Sequence, residues 1–201
     1  MKIAVFSDIH GNPEALKAVL GQIKAQKPDL TVFLGDIFQR GHGEFECLDL
    51  LAECGAVCVK GNCELYAEHR VDIDPDVEYL RDYYDFIREK LTPGQMDFIR
   101  RMPLFYEAAC GGRRICFSHF LFLDLKAPYP FLPLSSLKTG EFDKACESDE
   151  VRKYDLVVIG HSHRNFEQGN VVSVSAAGLE GASWLLLDAD ENAVRFERFL
   201  L

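Results

Sequence analysis

Short runs of β-branched and aromatic residues alternate along this chain with apolar positions spaced as on one face of a helix. Lys2 to Phe6 is a short β-prone run closed by Ser7-Asp8. After the turn His10-Gly11, Asn12-Pro13-Glu14 supplies a capping side chain, a proline at the first helical position and an early acid, which predict a helix start. Leu16, Val19, Leu20 and Ile23 then recur at helical spacing up to Pro28, and Leu30 to Leu34 reads as a second buried strand. Phe45, Leu48, Leu51 and Ala52 predict another helix ended by Gly55, and Ala56 to Val59 a third strand. Strand and helix in alternation imply a parallel sheet.

Asp74-Pro75 opens a helical stretch carrying Tyr79, Tyr83, Tyr84 and Phe86, and Thr92-Pro93-Gly94-Gln95 is a capping-box pattern that starts another helix before Pro103. From Arg114 onward strands dominate: Arg114 to Phe117, Leu156 to Ile159, Val171 to Ser175, Ser183 to Asp188 and Ala193 to Leu200. The Pro-rich stretch Pro128 to Pro133 interrupts them as a surface excursion near a site mouth. The expected architecture is two sheets packed face to face with helices outside. With 201 residues, 48% of them hydrophobic, the chain has the length and apolar content for one domain spanning 1–201.

Charge narrows the partners. A formal net charge of −10 repels a phosphate backbone, so a dedicated nucleic-acid binder is not expected, while a small anionic substrate remains open where bound metals reverse the local field. No run approaches the ~20 apolar residues that span a bilayer, and Lys2 to Phe6 is too short for a signal-peptide core. The expectation is a cytoplasmic protein that does not engage membranes; its oligomeric state is left open. Seven cysteines, an odd number, fit free thiols in a reducing compartment. Cys47, Cys54 and Cys58 lack a Cys-x-x-Cys pair and read as packed thiols, not a zinc cluster.

The informative feature is where the polar residues fall. Asp8 and His10, Gly35-Asp36, Gly61-Asn62, His119, and His161 with His163 each follow closely on a predicted strand. Ligand sites of α/β sheets form at the carboxyl ends of strands, so the fold would deliver these groups to one place. Singly each is bland: Asp-x-His after a strand is usually a turn, and Gly-Asp and Gly-Asn pairs punctuate loops. Together, four of the six histidines stand at strand ends. His42 and His69 lie in loops, where solvent exposure is the plainer reading and an acid role the sharper one. Carboxylate, imidazole and amide oxygen suit divalent transition metals, with Mn the first choice and Fe, Zn, Ni or Co compatible. Seven candidate ligands exceed the needs of one ion and are most simply divided between two that share a carboxylate.

Ser7-Asp8-Ile9-His10-Gly11-Asn12, Gly35-Asp36, Gly61-Asn62-Cys63-Glu64, Ser118-His119 and Gly160-His161-Ser162-His163 resemble, in order and spacing, the five motifs of calcineurin-like metallophosphoesterases. The likeness runs from Met1 to about Gly178. It implies a four-layer α/β/β/α sandwich of two mixed β-sheets flanked by helices, with a dinuclear site at one edge. By motif, Asp8, His10 and His163 look like ligands of one ion, Asn62, His119 and His161 like ligands of the other, and Asp36 like the bridge. Gly-Asn-Cys is similar to the small bacterial and archaeal phosphodiesterase branch. Other branches carry a histidine at position 63 that protonates the leaving oxygen; a thiol there is a weaker acid. Arg40 stands at the spacing of Gly-Asp-x-x-x-Arg-Gly, and Arg40 and Asn62 are the candidate substrate contacts. Phe120 replaces the family's usual glycine, and Val174-Ser175-Ala176-Ala177-Gly178 its Asn-Pro-Gly-Ser.

The function expected from the resemblance is hydrolysis of a small phosphodiester by a hydroxide held between two metal ions. A phosphomonoesterase acting on protein or nucleotide is the alternative with the same core, selected by the loops Tyr66 to Asp74 and Lys126 to Thr139. A non-catalytic metal-binding scaffold of the same fold is the alternative from another class.

Overall fold

The computed structural model describes residues 1–38, 43–73, 75–121, 140–180, 182–191 and 193–201. In its first strand, β1 (Lys2–Phe6), Ile3 and Val5 enter one apolar core and Ala4 and Phe6 another. A strand buried on both faces must lie inside a layered structure. The layers follow from the rest of the chain. α1 (Pro13–Gln26) starts where expected: the Asn12 side chain accepts from Ala15 N at 3.0 Å, and Pro13 occupies the first turn. β2 (Leu30–Phe33), α2 (Glu44–Glu53) and β3 (Val57–Cys58) complete the parallel run, with Ile3 opposite Leu30 and Phe33 opposite Cys58.

α3 (Asn62–Ala67), a 3-10 segment (Pro75–Leu80), α4 (Arg81–Lys90) and α5 (Pro93–Arg101) follow. The expected capping box opens α5, with Thr92 and Gln95 exchanging side-chain and backbone bonds at 3.2 Å. β4 (Phe105–Cys110) and β5 (Arg113–Ser118) form a hairpin, and α6 (Glu141–Cys146) and α7 (Asp149–Arg152) precede β6 (Leu156–Ile159), β7 (Phe166–Gln168), β8 (Val171–Ser173), β9 (Ser183–Ala189) and β10 (Val194–Leu200). One five-stranded mixed sheet runs β10-β9-β1-β2-β3 and the other β4-β5-β6-β8-β7.

Three apolar cores among the described residues separate four layers. Phe6, Phe33, Leu16, Val19, Leu48 and Trp184 fill the space between the first sheet and α1 to α5. Ile3, Val5, Leu185, Ile115, Phe117 and Val158 fill the space between the sheets. Cys116, Val157, Phe142 and Val151 pack the far face of the second sheet against α6 and α7. This is the α/β/β/α sandwich of two mixed sheets expected from the sequence. Among the described residues no helix is long and apolar enough to cross a membrane.

The expected strand Val171 to Ser175 stops at Ser173, because Ser175 N turns to the Asn165 side chain at 2.9 Å. α3, α6, α7, β4 and β7 are elements beyond the sequence reading. The Pro-rich stretch 128–133, the loop 126–139 and Asp74 lie outside the described residues.

Phe117 is fully buried between the sheets. Phe117→Ala is expected to lower the free energy of unfolding by about 3–5 kcal/mol in urea titration, whereas a loss under about 1 kcal/mol would contradict tight packing of that layer.

Candidate metal centre

The parallel strands of both sheets end at a common edge. β1 runs into Asp8 and His10, β2 into Asp36, β3 into Gly61-Asn62, β5 into His119, and β6 into His161 and His163. All seven candidate ligands meet there, in two groups that share one residue. One ligand atom each of Asp8, His10, Asp36 and His163 lie within 4.8 Å of one another, and so do those of Asp36, His119 and His161. Asn62 joins the second group, its Oδ1 3.0 Å from His161 Nδ1 and 3.2 Å from His119 Nε2.

Backbone strain accompanies the convergence. Asp8, His10, Asp36, His161 and His163 all have positive φ, between 49° and 65°. For a non-glycine residue this conformation costs about 1–2 kcal/mol, and it persists only where surroundings enforce it. Two glycines make the close approach possible. A β-carbon on Gly61 would collide with Asp36 Oδ1, and one on Gly160 with Ser7 Oγ and Asp8 Oδ2.

The turn at Asp36 is held by Glu64, at 0% exposure. Its Oε2 accepts from Asp36 N at 2.9 Å and Gly61 N at 2.7 Å, and its Oε1 from Ile37 N at 2.8 Å. The sequence motif contained Glu64 without revealing this role. Burial and the neighbouring Asp36 raise its carboxyl to about 7, against the three N–H donors that favour the anion. The segment 176–178 holds the first motif from the other side: Ala177 N donates to Ser7 O at 2.8 Å and Gly178 N to Asp8 O at 2.9 Å.

Hydrogen bonds assign the imidazole tautomers. His10 Nδ1 lies 2.7 Å from Phe38 O and His119 Nδ1 2.8 Å from Leu34 O. A carbonyl only accepts, so each Nδ1 carries hydrogen and each neutral ring turns an Nε2 lone pair into the site. There His10 Nε2 stands 3.0 Å from His163 Nε2 and 3.7 Å from Asp8 Oδ1, and His163 Nε2 lies 3.2 Å from that same buried oxygen. His119 Nε2 faces Asn62 Oδ1 and, at 3.4 Å, Asp36 Oδ2. Facing acceptors require a proton or a cation between them. Donors about 2.1 Å from one ion lie roughly 3–3.5 Å from each other, so these spacings fit divalent metal.

The electrostatic surroundings of the side chains agree. Burial opposes the charge on His119, but Asp36 and Asp8 outweigh it and raise the ring to about 9. Burial likewise opposes ionisation of Asp8 and Asp36, yet His119 beside both, with His163 at Asp8, holds them below the ordinary carboxylate range. Burial and the charge of His119 lower His161 to about 4. Ionised carboxylates beside imidazoles and an amide oxygen are the donor chemistry of a divalent-cation site.

Phe120 packs edge-on against His119 and His161, with ring centroids 4.7 and 5.3 Å away. The position that departs from the family's glycine thus braces two candidate ligands. Cys63 is fully buried in the helix-side core, with Asn62 Nδ2 donating to its Sγ at 3.7 Å. Burial there, with Asp36 and Glu64 nearby, raises the thiol's pKa well above the usual range. His69 is exposed, Cys47 and Cys58 are buried, and Cys54 is exposed instead of packed. All seven thiols are free. Arg40 and His42 lie outside the described residues.

Comparison with known proteins gives the site its context. The sequence model of the calcineurin-like phosphoesterases matches residues 1–165. An uncharacterised protein of Methanocaldococcus jannaschii is 30% identical over 174 residues, spanning 85% of this chain and 67% of its own. The crystal structure of a hypothetical protein from Pyrococcus horikoshii superposes with a TM-score of 0.69 at 18% identity, covering 98% of this chain and 86% of that one. That of a metallophosphoesterase from Sphaerobacter thermophilus gives 0.64 at 20% identity, covering 98% and 87%. At these identities the two structures attest the fold.

Three measurements probe the geometry. Glu64→Gln places an amide N–H against backbone donors and is expected to lower stability by about 3 kcal/mol in urea unfolding; wild-type stability would contradict the clamp. Metal uptake at pH 7 must displace the proton from His119, so calorimetry in buffers of different ionisation enthalpy should show proton release and an affinity that falls as pH drops below about 9. Heats independent of buffer would contradict it. Cys63→His, with no room for an imidazole, is expected to destabilise the chain by about 1–3 kcal/mol without altering leaving-group dependence; a selective gain on alkyl esters would show that position 63 reaches substrate.

Proposed function

The chain belongs to the calcineurin-like phosphoesterase family, and we propose that it hydrolyses a small phosphodiester with two divalent ions, Mn first, held by Asp8, His10, Asp36, Asn62, His119, His161 and His163. The observation that carries the reading is the pair of donor groups, Asp8, His10, Asp36 and His163 in one and Asp36, His119 and His161 in the other, joined at Asp36. Asp8, His10 and His163 would serve one ion, Asn62, His119 and His161 the other, and Asp36 both. When bound, such ions supply Lewis acidity toward the phosphoryl oxygens and lower the pKa of water toward neutrality.

The protein's own part is orientation. Phe38 O and Leu34 O fix which nitrogen of His10 and His119 faces the substrate side, and the buried loops keep Asp8 and Asp36 ionised for cation binding. Preference for a diester rests on the Gly61-Asn62-Cys63 signature. It accords with a buried Cys63, since activated diesters depend least on a general acid. Arg40 and Asn62 are the proposed grips on substrate oxygens.

Reconstituted protein is expected to bind two Mn ions per chain and to hydrolyse bis(p-nitrophenyl) phosphate faster than p-nitrophenyl phosphate, with chelation abolishing both. Asp36→Ala should disturb both ions and Asp8→Ala chiefly one, so the former loses more activity. One ion or fewer per chain would sink the dinuclear reading, monoester preference would make it a phosphomonoesterase, and two ions without turnover would favour the scaffold.

A further inference from the structure

We infer that Asn165 and Arg198 form a positioning device that fixes the His163 backbone, making the edge strand β10 part of the metal centre. The inference rests on the reading of His163 as a ligand. Asn165 Oδ1 accepts from three donors on three segments: Ser175 N at 2.9 Å beyond β8, Ser183 Oγ at 2.9 Å in β9, and Arg198 Nη1 in β10. Arg198 Nη1 also donates to Ser173 O at 3.1 Å. One amide oxygen thereby joins the second sheet, through β8, to the first, through β9 and β10. A charged donor strengthens the arrangement over what neutral donors provide.

The consequence falls on His163, two residues away. Its φ of 55° is unfavourable for a non-glycine residue, so its placement depends on how its flanks are held. Ser175 Oγ donates to His163 O at 3.3 Å, and Asn165 in turn fixes Ser175 N. On the other side Ser162 Oγ pairs with Ser173 Oγ at 2.6 Å and accepts from Arg164 N at 3.1 Å. Arg198 touches the carbonyl of the same Ser173. His161 is held differently, through its N–H to Asp8 Oδ2 at 3.3 Å and the close approach of Gly160 to Ser7. The device therefore acts on one ion of the pair, the one that His163 contacts. Arg198 lies beyond residues 1–165, where the family match ends.

Calorimetric Mn titration of the full chain and Co(II) absorption spectra test the device on Asn165→Ala, Arg198→Met and Asn165→Asp, with His163→Ala as reference. Asn165→Ala and Arg198→Met are expected to weaken one ion by about 10- to 100-fold, the same ion that His163→Ala abolishes, and to leave the other unchanged. Asn165→Asp keeps an acceptor for all three donors and should restore wild-type binding. Unaltered binding of both ions overturns the inference, as does parallel weakening of both with a lowered melting temperature. If His163→Ala binds both ions like the wild type, the ligand reading falls and the inference with it; the other outcomes overturn the inference alone.

Discussion

Glu64 accepts N–H bonds from Asp36, Ile37 and Gly61, so two loops leaving different strands are tied through one buried carboxylate. That constraint brings the Asp36 side chain between the two donor groups and lets Cys63 N donate to its Oδ1 at 3.0 Å. Burying a carboxylate in this position is costly, and the three aligned amides offset part of that cost, since the carboxyl still rises to about 7 beside Asp36. Segment 176–178 does for Asp8 what Glu64 does for Asp36.

The two-sheet fold serves this clamp by delivering strand ends to one edge. β1, β2 and β3 are parallel in the first sheet and β5, β6 and β8 in the second, so their carboxyl ends lie side by side. Burial on both faces makes register strict: shifting β1 by one residue would send Ile3 and Val5 into the helix-side core and misplace Asp8. The core packing and the site geometry are therefore one specification.

Much of this was legible in the sequence because it depends on local pattern. Asn12-Pro13 and Thr92 to Gln95 mark helix starts through bonds made within four residues, and Leu156 to Ile159 reads as a strand because every position is apolar. That the candidate ligands would meet at one edge was legible because they follow closely on strands, whose carboxyl ends the parallel runs bring together. What escaped depends on distant partners. The clamp at Glu64 spans 27 and 28 positions, and Asn165 meets a residue 33 positions on. β4 alternates exposed with partly buried positions and β7 is three residues long, too weak or too short for periodicity to register. Cys63 gave no hint of its burial, since its side chain enters the helix-side core while its Sγ still accepts from the neighbouring Asn62 Nδ2.

The central claim is that one carboxylate, Asp36, stands between two cations. Anomalous diffraction from a Mn-loaded crystal addresses it without reference to any substrate. The account predicts two peaks about 3.5–4 Å apart, one beside Asp8, His10 and His163 and the other beside Asn62, His119 and His161, with the Asp36 carboxylate between them. A single peak, or two peaks of which only one contacts Asp36, would contradict it.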